Sequence, residues 1–231
     1  MIKGTREISR FLLEPESPRV TIYPLSDQLQ VWPHGDVMFG AVSNAFRLMV
    51  HHGKLVACIA LLEEAMHALR RTKYHEVLGR DFLHQTDAAA EYLINFHRKA
   101  STKIDVAAMY LEMNGFTINP DRWYFDGFAY ETAGDIWELE WLAHWDADTE
   151  NDSFTLTGME LVQEAFGRYY CDENQPLSVR MAEELADHLV NARFMQLIAA
   201  AHEAAKARCK ALRGLPILAT AHDWDRVHRT Q

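Results

Sequence analysis

The chain has 231 residues, 48% of them hydrophobic and 24% charged, and its 33 acidic and 23 basic residues leave a net charge of −10 at neutral pH. A chain of this length buries roughly 70–75% of its unfolded surface, and so ordinary a composition, free of repeats, excludes a low-complexity or disordered molecule. The negative balance, with no basic stripe to offset it, argues against nucleic acid as a partner.

At the start of the chain the apolar run ends after Phe11, Leu12 and Leu13, too short for the core of a signal peptide. The longest uncharged apolar stretch, Leu55 to Leu62, is far below a bilayer span, so no membrane association is expected. Cys58, Cys171 and Cys209 are odd in number and widely separated, which fits a reducing cytoplasm rather than a disulfide framework.

In chain order, Asp36 caps a helix with Val37, Ala41, Ala45 and Leu48 on one face, and Gly53 stops it. Leu55, Ile59, Leu62, Met66 and Leu69 then follow steps of four and three, the spacing of one helical stripe. Third and fourth helices are expected over 82–99, with Leu93 and Phe96 inward, and over 102–114, with Ile104, Ala108 and Leu111 inward and Gly115 as the stop. A turn signal at 119–122 precedes the aromatic run 123–130, which suits a strand.

From Trp137, the residues Leu139, Trp141, Ala143 and Trp145 alternate with Glu138, Glu140 and His144, the pattern of a strand facing a core. Tryptophans four apart also fit a helix; strand is adopted, completing a β-hairpin with 123–130. Phe154 to Leu156 reads as a short strand, and Thr157 with Glu160 has capping-box spacing before Leu161, Ala165, Phe166 and Tyr169. Residues 177–212 contain no glycine or proline and read as helix, with a kink near Asn191 or a division into two helices expected. Ile217, Leu218, Trp224 and Val227 call for the tail to fold back.

The expected fold is mainly α within an α+β class: a single domain over 1–231, a helical bundle with a small antiparallel β-hairpin or sheet inserted at about residues 122–157. Its helical parts span about 36–115 and 158–213.

Motifs for chemistry are sparse. Gly35 and Gly40 have P-loop spacing, but Ala41 and Val42 stand where Lys and Ser or Thr belong, and neither Gly-x-Gly-x-x-Gly nor Gly-x-Ser-x-Gly occurs. No cofactor is expected. Glu64 and His67 lie one turn apart as in di-iron bundles, yet Asp81 with His84 and Glu184 with His188 only imitate the second copy such a site needs. Asp146, Asp148, Glu150 and Asp152 alternate like calcium-loop ligands, but Asn151 and Thr157 replace the turn glycine and the closing glutamate. His222, Asp223, Asp225 and His228 gather near the C-terminus, and His144 beside Glu140 would suit acid–base work in a cleft.

Charge carries the functional expectation. Residues 121–152 hold ten carboxylates, four tryptophans and one cation, Arg122. A core explains alternating aromatics; it does not explain clustered acids, which repel unless they stay solvated or meet positive charge. That charge is either internal, from residues 97–103 and 202–231, or a basic partner. The first expectation is a binding or inhibitory protein, in the manner of immunity proteins, recognising a basic protein through Asp126, Glu131, Asp135, Glu138, Glu140, Trp145, Asp146 and Asp148. Alternatives are a metal-assisted enzyme centred on Glu64 and His67, and a homo-oligomeric scaffold built on 177–212.

Overall fold

The computed structural model describes residues 50, 53–116, 119–136, 138–169, 175–222, 224 and 227–230. The helix expected over 36–48, together with Trp137, Cys171, Asp223 and Asp225, lies outside the described residues.

Helix α1, Leu55–His67, buries Leu55, Ile59, Leu62 and Met66, the stripe its spacing predicts, with Cys58 packed among them. A 3-10 turn, Leu83–Gln85, leads into α2, Thr86–Ala100, where Ala89, Ala90, Leu93 and Phe96 face the core. His97, Arg98 and Lys99 fill its last turn, the end where a helix dipole favours cations. Between α2 and the next helix lie the strands β1 (Ala108–Asn114), β2 (Tyr124–Tyr130), β3 (Ala147–Asp148) and β4 (Phe154–Thr155).

Helix α3, Glu160–Tyr169, starts differently from the capping box its sequence suggests. Glu160 is its first residue and accepts from the Gly158 N–H at 2.7 Å, while the Thr157 hydroxyl pairs with His84 Nε2 at 3.1 Å. Helix α4, Leu177–Arg208, is 32 residues long, about 48 Å at 1.5 Å per residue. It is continuous through Asn191, where a kink was expected. No helix breaker interrupts it, and it packs against α1, α2 and β5 (Ile217–Ala221). The last strand is β6, His228–Thr230.

The mainly helical expectation is overturned by the sheet. Among the described residues it has six strands in the order β3-β2-β1-β5-β6, with β4 also on β2, and its β1–β5 pair is parallel while the others are antiparallel. An α+β fold with a mixed sheet replaces the bundle with a small hairpin at 122–157. Residues 108–114, expected as the end of a fourth helix, form the central strand. Met109, Leu111 and Met113 are fully buried on its helix side while Tyr110, Glu112 and Asn114 alternate outward. Seven residues are too few for the two periods to separate, and Ala, Met, Leu and Glu favour helix; pairing on both edges overrides that preference.

The helices cover one face only. There, Phe125 and Ala129 of β2 and Ile217, Ala219 and Ala221 of β5 join the main core, with Phe125 packed on Phe194 of α4 at 5.5 Å. Gly127 completes this face because a Cβ there would stand 2.8 Å from the Phe96 ring.

Candidate interaction face on the outer side of the sheet

Strand alternation aims Ala108, Tyr110, Glu112 and Asn114 of β1, and Tyr124, Asp126, Phe128 and Tyr130 of β2, away from the helices. Strand register aligns them in rows. One row runs Leu218, Tyr110, Phe128, Asp148; the next runs Thr220, Glu112, Asp126; beyond it Asn114 pairs with Tyr124.

The residues after β2 cover the upper rows. Ile136, Leu139, Trp141 and Leu142 pack over Ala108, Tyr110, Tyr130, Leu218 and Val227 as a second small core. The expected strand at 137–145 is thereby corrected: residues Leu139–Ala143 form a 3-10 turn, in which Leu139 and Leu142, three apart, share a side. Trp141 packs on the outer face of the sheet instead of against helices, edge-on to Tyr130 at 4.7 Å, and its Nε1 donates to the Asp135 carbonyl at 3.0 Å. Gly134 makes room, since a Cβ there would lie 2.3 Å from the indole. The Tyr130 hydroxyl donates to the Leu142 carbonyl at 2.8 Å and ties the turn down.

The cover leaves Glu112 and Asp126 of the next row half-buried, while Thr220 in the same row is buried. Glu112 and Asp126 sit directly opposite each other, an arrangement of like charges that costs some tenths of a kcal/mol up to about 1. Glu112 accepts from the Tyr110 hydroxyl at 2.9 Å, and His222 Nδ1 lies 2.8 Å from its other oxygen. Asp126 Oδ2 has a long contact, 3.4 Å, from the Asn114 amide, and Ser153 is a side-chain hydrogen-bond neighbour. Burial raises the Asp126 carboxyl above its ordinary range; Ser153 and Arg122 partly offset this, and Glu112 and Asp148 add to it. Asp126 Oδ1 and Thr220 Oγ1 are both buried without a hydrogen-bond partner. Each such orphan costs about 1–3 kcal/mol.

Arg122 does not fill the deficit. Its Nε donates to Thr155 Oγ1 at 2.9 Å and its Nη2 to the Ser153 carbonyl at 3.3 Å, with the guanidinium 4.8 Å from the Tyr124 ring centroid. At the rim, Trp145 is 47% exposed, packs on Phe128 at 4.9 Å and donates from Nε1 to Asp148 Oδ2 at 3.2 Å.

Of the residues proposed from sequence, Glu131, Asp135, Glu138, Glu140, Trp145 and Asp146 are exposed and Asp126 and Asp148 half-buried. The alternating carboxylates shape turns: Asp146 Oδ2 accepts from the Glu131 N–H at 2.8 Å and Asp148 Oδ1 from the Glu150 N–H at 2.8 Å. Among the described residues Glu150 is neutralised internally, by Lys99 and Lys103 of the 97–103 patch at 3.3 and 2.9 Å. Among the described residues Glu131, Glu138, Glu140, Asp146, Asp148 and Asp152 take part in no ion pair. Of the C-terminal cations, Lys206 pairs with Glu203 and Arg208 with Glu91.

The other sequence candidates do not converge. Glu64 and His67 are exposed on α1, and among the described residues no three His, Cys, Asp or Glu side chains form a metal-type group. His188 lies buried on α4 with Nδ1 2.8 Å from the Glu184 carbonyl and its ring on Trp224. His222 stands on the outer side while His228 is buried on the helix side, so the tail cluster is split across the sheet. His144 and Glu140 are both exposed. Glu112 and Tyr110 were missed because a helix was expected at 102–114; the in–out alternation of Met109 to Asn114 was the signal that could have found them.

The chain matches no protein-family model, and no curated protein or solved structure gives a significant match.

Proposed function

We propose that the protein is a cytoplasmic binding or inhibitory protein that takes up a basic protein surface on the uncovered outer face of its sheet. One observation carries this: among the described residues Glu131, Glu138, Glu140, Asp146, Asp148 and Asp152 take part in no ion pair, beside the directly opposed, half-buried carboxylates of Glu112 and Asp126. Lysine or arginine from a partner supplies positive charge to the opposed, half-buried carboxylates of Glu112 and Asp126. Trp145 and Phe128 provide an aromatic edge for burial, and the surrounding carboxylates of Glu131, Glu138, Glu140 and Asp146 raise the encounter rate without each adding much affinity. No described helix is long and apolar enough to cross a membrane.

The test uses an octalysine and an octaarginine peptide as probes, titrated calorimetrically at low and high salt. Wild type should bind with steep salt dependence. Glu138→Gln, Glu140→Gln, Asp146→Asn and Asp148→Asn together should weaken binding about tenfold or more, roughly 1.4 kcal/mol, with an unchanged circular dichroism spectrum. Neutralising Glu64, Asp87 and Asp105, which lie off this face, should leave it nearly unaltered. If both sets of changes act alike, binding is only a response to net charge and the proposal fails.

A further inference from the structure

Positive charge in this acidic chain is concentrated at a second place. Residues 67–80 carry Arg70, Arg71, Lys73 and Arg80 against one acid, Glu76, with His67 and His75 beside them. Three hollows open along this segment. The most basic has a volume of about 370 Å3 and is walled by Arg70, Arg71, Lys73, Tyr74, Pro176 and Val179, with Thr72 and Ser178 also on its wall. That is the lower end of the size range of small-molecule sites, about 300–1,000 Å3.

Glu76 lies between Arg71 at 3.9 Å and Arg80 at 3.6 Å, so its charge is already shared. Among the described residues Arg70 and Lys73 take part in no ion pair. Tyr74 is buried at the base of the segment and packs edge-on to Phe166 of α3 at 5.1 Å, while Pro176 and Val179 give the opposite wall an apolar character. The start of α4 at Leu177, behind Pro176 and without a side-chain cap, adds the partial positive charge of a helix dipole.

We infer that the hollow between residues 70–74 and 176–179 is a binding site for a small organic phosphate, its anion held by Arg70 and Lys73 and its apolar body lying against Tyr74, Pro176 and Val179. An extended polyanion is a poor fit, because the rest of the molecule is strongly negative and repels it beyond the hollow. A compact anion feels the local cations first. The site shares no residue with the outer face of the sheet.

The probes are phenyl phosphate and inorganic phosphate, added at constant ionic strength while backbone amide shifts are followed by NMR in the full chain. Saturable shifts are expected in residues 70–74 and 177–179, with phenyl phosphate the tighter probe. Arg70→Ala with Lys73→Ala should lower its affinity about tenfold or more, because two charge-assisted contacts are lost. Both side chains are exposed, so the variant should fold, and its unchanged shifts elsewhere verify that. Absence of saturable shifts in these segments overturns the site, as does a double variant that binds like wild type. Equal binding of the two probes overturns the role given to the apolar wall.

Discussion

Asp126 holds its proton to a higher pH in the fold than in the unfolded chain, because it is half-buried and faces Glu112. The folded state therefore binds more protons as pH rises out of the ordinary carboxylate range, and stability is lost through that window. Asp126→Asn should make the free protein more stable at neutral pH and flatten its pH dependence there, while weakening cationic-peptide binding. Chemical denaturation at pH 4 and pH 7 measures the first effect; a variant less stable at pH 7 would contradict it. Asn191 presents a related case, fully buried in the middle of α4 with neither amide atom hydrogen-bonded. Asn191→Leu, close in volume, removes the unsatisfied amide and should stabilise by roughly 1–3 kcal/mol, read as a rise in denaturation midpoint.

At the scale of elements, the segment following β2 decides which part of the sheet is open. Its anchoring depends on Trp141 lying against the backbone at Gly134, a position where the Cβ of any other residue would collide with the indole. Gly134→Ala should loosen the cover and cost about 1–3 kcal/mol, the range for overpacking, with faster hydrogen exchange at the Leu139–Ala143 turn than in β1. Equal exchange in wild type and variant would show that the cover is held by something else. The long helix behaves in the opposite way, its burial on several sides making it the spine of the molecule. Its residues His188 to Ala192 are all buried, which is why no amphipathic stripe narrows around Asn191.

Across the whole molecule, charge is segregated: acids gather over the outer sheet face and the 131–152 turns, cations along 67–80. Such separation orients an approaching charged partner and costs stability by local repulsion. Stability is also tied to buried histidines. His202, with Nδ1 2.6 Å from the Thr230 hydroxyl and Nε2 3.0 Å from the Leu212 carbonyl, and His228 are held below the ordinary imidazole range by burial. Both stay neutral in the fold and take up protons on unfolding, so their contribution is present above about pH 6.5 and is lost as pH falls below it. Unfolding free energies should decline as pH falls below about 6.5. His202→Gln with His228→Gln should flatten that decline; an unchanged slope would reject the assignment.

Local pattern was enough for the helices that carry one clear stripe. Leu55, Ile59, Leu62 and Met66 predict α1, and the absence of breakers predicts α4, because a 3.6-residue period repeated over several turns has few competing interpretations. The acidic clustering was likewise present in composition alone. What tertiary structure decided was the sheet and therefore the face. Residues 108–114 and 137–145 each offer two periods in a short window, and their state depends on partners more than 80 residues away for β1 with β5, and on the outer surface that β1 and β2 create for the 3-10 turn. Alternation within a strand does not say which strand it pairs with, so Glu112, Thr220 and Asp126 became neighbours only once three strands were placed side by side.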